Sequence, residues 1–114
     1  MPFINVKTNA KLNEAQKLAV ENALSDAISL IPGKSDRYLM LAVEDGLSMM
    51  FHRDAQSPAA MVEVKIFGSA PKSAYEKLTA AICDILSREA GVDGSGCYVK
   101  FEEVSLWGYD SFMF

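Results

Sequence analysis

The chain has 114 residues, half of them hydrophobic, and a net charge of −4. That supports one domain, residues 1–114, with a core of its own, and no second domain. Its 11 Lys and Arg are scattered singly, so nucleic acid is not an expected partner, and no apolar run reaches the roughly 18 residues of a membrane span.

The beginning of the chain lacks the basic and apolar zones of a signal peptide. Cys83 and Cys97 are too few for a disulfide framework or a zinc site, and Cys83, in an apolar helical stretch, reads as a small core residue. These features describe a cytoplasmic protein.

Pro2 follows Met1 and opens a strand-like run, Phe3-Ile4-Asn5-Val6-Lys7. Once Met1 is trimmed, the nitrogen of Pro2 is a rigid secondary amine. Such an amine has an ordinary pKa of about 8, which an apolar pocket and a nearby cation lower. It is then suited to act as a general base at neutral pH. The plainer reading is a proline that happens to head a strand.

Along Phe3 to Thr8, Phe3 and Asn5 face one side and Ile4 and Val6 the other. Asn13 with Gln16 forms a capping box for a helix whose apolar face is Val20, Ala23, Leu24, Ala27, Ile28 and Ile31. Pro32-Gly33 ends it. Tyr38 to Val43 is nearly continuously apolar and predicts an interior strand. After the turn at Asp45-Gly46, Ser48 to Phe51 predicts a short strand. His52, the only histidine, reads as a surface residue beside a turn.

The second half repeats this plan. Met61 to Phe67 is a strand, Ser73 with Glu76 a capping box, and Leu78, Ile82, Ile85 and Leu86 an apolar stripe. Gly91 ends that helix, and Gly94-Ser95-Gly96 leads into a strand from Cys97 to Val104. Ile4-Asn5-Val6-Lys7 matches Val62-Glu63-Val64-Lys65 at an offset of 58, and Tyr38 matches Tyr98 at an offset of 60. The reading is an α+β fold made of a duplicated βαβ unit. It predicts a four-stranded mixed sheet with both helices on one face. The other face reads as bare and substantially apolar, so the pattern predicts burial against further copies of the chain.

Met1-Pro2 before a strand, the duplication, Gly33-Lys34 before Tyr38, Ala74-Tyr75 in the second helix, Tyr98, and Trp107 with Phe112 together resemble macrophage migration inhibitory factor and its relatives in the tautomerase superfamily. The resemblance covers nearly the whole chain. It implies a homotrimer with an inner β-barrel, active sites between subunits, and keto–enol tautomerase activity on α-keto acids such as phenylpyruvate, without metal or cofactor.

By position, the resemblance makes Pro2 the base and Lys34 the holder of the substrate carboxylate and the cation that keeps the amine neutral. Val64 would offer a backbone N–H, and Tyr98 of a neighbouring subunit would donate to the enolate. Tyr38, Trp107 and Phe112 would line the slot. Singly, Lys34 also reads as a solvated lysine, and the aromatic residues as packing.

Lys100 stands where the best-known relatives have asparagine. Either it adds a second cation to the site and favours a doubly charged substrate, or it pairs with Glu102 or Glu103. The Cys-x-x-Cys pair of the mammalian cytokine is replaced by Ala59-Ala60-Met61-Val62, so its thiol chemistry does not transfer. The ending Gly108 to Phe114 also departs from the family pattern. A hydrolytic branch with paired arginines fits less well, since Gly68-Ser69-Ala70-Pro71-Lys72 holds one lysine.

Two other classes of function stay open. One is a cytokine-like protein with a protein receptor and vestigial catalysis, exported without a signal peptide. The other is a ferredoxin-like ligand-binding module that forms dimers.

Overall fold

The computed structural model describes residues 1–114. Strand β1 (Pro2–Thr8) leads to helix α1 (Glu14–Ala27), followed by strand β2 (Met40–Glu44). Strand β3 (Ala60–Phe67), helix α2 (Lys72–Ala90) and strand β4 (Cys97–Val104) repeat that order. A terminal hairpin joins β5 (Gly108–Tyr109) to β6 (Phe112–Met113), and 3₁₀ turns cover Ile28–Leu30, Asp36–Tyr38 and Gly94–Gly96.

The sheet order is β2-β1-β3-β4. β1 and β3 run antiparallel at its centre, and each is paired in parallel with the outer strand that follows its own helix. The two βαβ units are thus related by an approximate twofold through the middle of the sheet.

Alternation along the central strands builds the core. Ile4 and Val6 of β1 and Val62, Val64 and Ile66 of β3 turn inward. They meet Val20 and Leu24 of α1 and Leu78, Ile82 and Leu86 of α2, all buried in one cluster. Both helices therefore cover the same face. No helix is long and apolar enough to cross a membrane.

The Asn13 cap forms as the sequence predicts. Its side chain accepts from Gln16 N–H at 2.8 Å, and Gln16 Oε1 accepts from Asn13 N–H at 2.9 Å. Gly91 closes α2 in the left-handed region, φ 68°.

Four expectations need correction. β2 is an edge strand, not an interior one. Its apolar run misled because Leu39, Leu41 and Val43 pack on the core while Met40 is 68% exposed. Tyr38 precedes β2, in a 3₁₀ turn. Ser48 to Phe51 forms no strand, since Phe51 makes only an isolated bridge to Asp54 across a turn, and His52 is exposed there with φ 56°. Ser73 and Glu76 form no capping box. Proline's fixed φ lets Pro71 take the cap position instead, and α2 has begun by Lys72.

The open face is substantially apolar, as expected, with Phe3, Met40, Ala42, Met61, Phe67, Tyr98 and Val104 on it, but a set of charged residues crosses its middle. These charged side chains form a zigzag across three strands. Lys7 lies 3.7 Å from Glu63, Glu63 lies 3.9 Å from Lys100, Lys100 lies 3.2 Å from Glu102, and Glu102 lies 3.8 Å from Lys65. Apolar side chains flank them toward both ends of the strands, as at Phe3, Met61 and Tyr98, and along the edge at Met40. Such pairs in solvent contribute little each, on the order of 0–1 kcal/mol.

Candidate functional site

The largest cleft, about 750 Å³, opens where β1 begins. Its floor includes Pro2, which is buried, and Phe3. One wall is the segment from Arg37 to Leu41, and the other is Trp107 with Gly108 and Tyr109. The terminal hairpin turns through Asp110 and Ser111, both in the left-handed region at φ 48° and 69°. The Phe114 N–H donates to the Trp107 carbonyl at 2.8 Å, which ties down the tail behind the tryptophan. Tyr109 then meets Tyr38 edge to face at 5.8 Å, closing the aromatic end of the cleft.

The polar chemistry collects at the chain's beginning. Gly33 (φ 79°) reverses the chain after α1, and Lys34 follows it. Lys34 Nζ donates to the Phe67 carbonyl at 2.8 Å, while the Phe67 N–H donates to the Met1 carbonyl at 3.0 Å. Burial, then the charge of Lys34, then a hydrogen bond from it, hold the Met1 amine below its ordinary pKa. A free amine here is thus biased toward its neutral, proton-accepting form.

The structure gathers Pro2, Lys34, Tyr38 and Trp107 at this end of the sheet. It does not bring the other named residues there. Val64 is 1% exposed and sits in the core, so the backbone N–H at the cleft is that of Phe67, three residues further on.

Tyr98 is 60% exposed and pairs with Met61, near the opposite end of β3 from Ile66, the partner of Pro2. At about 3.4 Å per residue along the strands and about 4.8 Å between them, that puts Tyr98 roughly 20 Å from Pro2 within one chain. Its ring packs on Phe51, centroids 4.8 Å apart. Lys100 pairs with Glu102 and Glu63 on the open face, which decides its pairing in favour of Glu102 over Glu103. Glu103 is instead bonded to the Tyr75 hydroxyl at 2.5 Å. Phe112 is 72% exposed on the hairpin, outside the cleft.

Sequence reasoning missed Arg37 and Lys65, which also line the cleft, as does Tyr109 of the divergent tail. Lys65 was legible in principle, because it falls on the same face as Phe3 in the alternation of two adjacent strands.

A smaller polar cleft of about 390 Å³ lies at the other end of the sheet, between the Phe51–Ala59 loop and the turn before β4. No group of three or more His, Cys, Asp or Glu is arranged to hold a metal ion.

The sequence pattern of the macrophage migration inhibitory factor (MIF) family matches residues 1–110. No curated protein matches the chain. Among solved structures it is similar to MIF2 of Leishmania major, with 23% identity over 100% of this chain and 97% of that one, at a TM-score of 0.93. It is likewise similar to a macrophage migration inhibitory factor-like protein of Entamoeba histolytica, with 25% identity over 99% and 98% of the two chains and a TM-score of 0.86. A fused 4-OT, described as a wild type symmetric trimer, shares 21% identity over 90% and 85%, at a TM-score of 0.79. These likenesses carry the fold, a two-helix, four-stranded tautomerase-like architecture. The sequence pattern, spanning almost the entire length, settles the family: the chain belongs to the macrophage migration inhibitory factor family.

Proposed function

We propose that this protein is a cofactor-free keto–enol tautomerase for α-keto acids such as phenylpyruvate, with the amine of Pro2 as its base once Met1 has been removed. The observation that carries the reading is the chain's beginning, set in the largest cleft beside Lys34 and the Phe67 N–H.

Removal of Met1 takes away the carbonyl that the Phe67 N–H serves. That donor and Lys34 then face an incoming carboxylate together. Pro2 nitrogen, uncharged through burial and the adjacent cation, accepts the proton from the carbon beside the carbonyl. The C–H pair becomes the enol double bond, the carbonyl oxygen takes a proton, and the reverse sequence regenerates the keto form. Tyr38, Tyr109 and Trp107 give the phenyl ring an aromatic wall.

The reading takes the assembly to be a homotrimer, as the fused 4-OT is described. A neighbouring copy would then bring its Tyr98 to the enolate oxygen, since no tyrosine at that end of β4 reaches the cleft within one chain. Phe112 would act across the same interface. Enol–keto exchange of phenylpyruvate by trimmed protein, compared with Pro2→Gly, tests the base: equal rates rule it out.

A second reading is a binding protein of cytokine type, with catalysis vestigial. It is favoured by the exposed apolar hairpin region, where Leu106 is 73% and Met113 67% exposed.

A further inference from the structure

The largest cleft carries a charge balance opposite to that of the whole chain. The protein has a net charge of −4, which repels anions at long range. Yet the cleft is lined by Arg37 and Lys65 and by no aspartate or glutamate, and Lys34 stands beside the Met1 amine, where Met1 itself lines the cleft.

These cations are not equivalent. Lys65 shares its charge with Glu102 at 3.8 Å and lies 5.9 Å from the centroid of the Phe3 ring. Lys34 and Arg37 take part in none of the molecule's ion pairs. Arg37 is nonetheless held. Its guanidinium carbon lies 5.3 Å from the centroid of the Tyr38 ring, and that ring is braced by Tyr109. Stacking on an aromatic face orders an arginine without using its N–H donors. They remain free for a planar, two-oxygen acceptor such as a carboxylate.

We infer that the cleft selects a dianion: a small 2-oxo diacid whose 2-oxo carboxylate lies against Lys34 and whose second carboxylate is held by Arg37. The inference rests on the site proposed above and names its substrate class. A diacid of this kind is doubly ionised at neutral pH, so each end meets a cation with no carboxylate competitor. A phenyl-bearing monoacid uses only the inner one.

The test is binding, followed by fluorescence of Trp107, the only tryptophan and part of the cleft wall. It uses full-length protein shown by mass to lack Met1. The probes are 2-oxoglutarate and 2-oxoadipate, against their monoacid counterparts 2-oxopentanoate and 2-oxohexanoate. The diacids are expected to bind about tenfold more tightly, the scale of one charge-assisted contact. Arg37→Gln should remove that preference, Arg37→Lys should restore part of it, and Lys65→Gln should keep it. Equal binding of the two classes overturns the inference. So does a preference that survives Arg37→Gln, or one that follows Lys65 instead. Arg37 is exposed, and circular dichroism of each variant checks that the fold is kept. If the preference holds while Pro2→Gly exchanges phenylpyruvate as fast as wild type, the base assignment fails and the dianion cleft stands. If Pro2 matters and the preference is absent, the reverse is true.

Discussion

Lys34→Gln reaches both parts of the proposed chemistry at once. In the folded chain, Lys34 Nζ donates to the Phe67 carbonyl at 2.8 Å. A hydrogen bond from a charged donor contributes about 1.5–3 kcal/mol. Lys34 is only half buried, and water replaces part of that contact, so the stability loss should be near 1 kcal/mol. The catalytic loss should be larger. If the same ammonium holds the substrate carboxylate, losing about 1.5–3 kcal/mol lowers kcat/KM by about 10- to 100-fold.

The pH profile gives the sharper test. For the Met1 amine, burial is the larger cause of the depression, and the charge and hydrogen bond of Lys34 follow. A Pro2 amine exposed at the same place by trimming would keep the burial in the variant and lose both contributions of Lys34. The amine's pKa therefore rises part of the way toward its ordinary value. If the neutral amine is the base, as proposed, the acid limb of kcat/KM for phenylpyruvate should move to higher pH. The measurement is that profile for trimmed wild type, Lys34→Gln and Lys34→Arg, with Lys34→Arg lying nearer wild type. An acid limb at the same pH in Lys34→Gln would show that the lysine does not tune the base.

Other consequences follow from single contacts. A Cβ on Gly96 would stand 2.7 Å from the Pro58 carbonyl oxygen, which is backbone and cannot swing away. Gly96→Ala should therefore cost about 1–3 kcal/mol, or at least about 4 °C in Tm by calorimetry; an unchanged Tm refutes the clash. Burial, then the Glu103 carboxylate, pushes the Tyr75 phenol up to about 12 from 10.0. The folded state thus favours the protonated phenol. That stabilisation is complete below pH about 10 and is lost as pH rises toward about 12. Urea unfolding across this window should show a decline that Tyr75→Phe lacks. The Cys97 thiol is pushed up to about 12, first by burial and then by Cys83. Its labelling by a disulfide reagent at pH 8 should be slow until the protein is unfolded, and rapid labelling of the native protein would contradict this.

Much of the scaffold was legible because it depends on local periodicity. The alternation of β1 and β3, the capping pair Asn13 and Gln16, and the stops at Gly33 and Gly91 are short-range signals that tertiary packing leaves intact. The misreadings come from long-range facts. Nothing inside Tyr38 to Val43 says whether a second strand of the same chain pairs on its outer side, and within the chain none does. The charged set within the otherwise apolar open face was not visible along any one strand. Only the cross-strand register sets Glu63 opposite Lys100, with Lys7 reaching Glu63 diagonally. The site was legible in part for the same reason. Pro2, Lys34, Tyr38 and Trp107 could be named from the sequence. The Phe67 N–H has no side-chain signature, and Arg37 becomes notable only beside the Tyr38 and Tyr109 rings.

The approximate twofold through the sheet copies the scaffold without copying its reactivity. Where Pro2 opens the first central strand, Ala60 opens the second, but with the chain running into it from Ala59. Its nitrogen is an amide, permanently deprived of the lone pair a base requires. Gene doubling can reproduce a crevice at each pole of the sheet, and the lesser one does sit beside Pro58 and Ala59. A polypeptide nevertheless has one amino end. Chemistry that depends on that end occurs once per protomer, however symmetric the frame, and the second pole is left free to diverge.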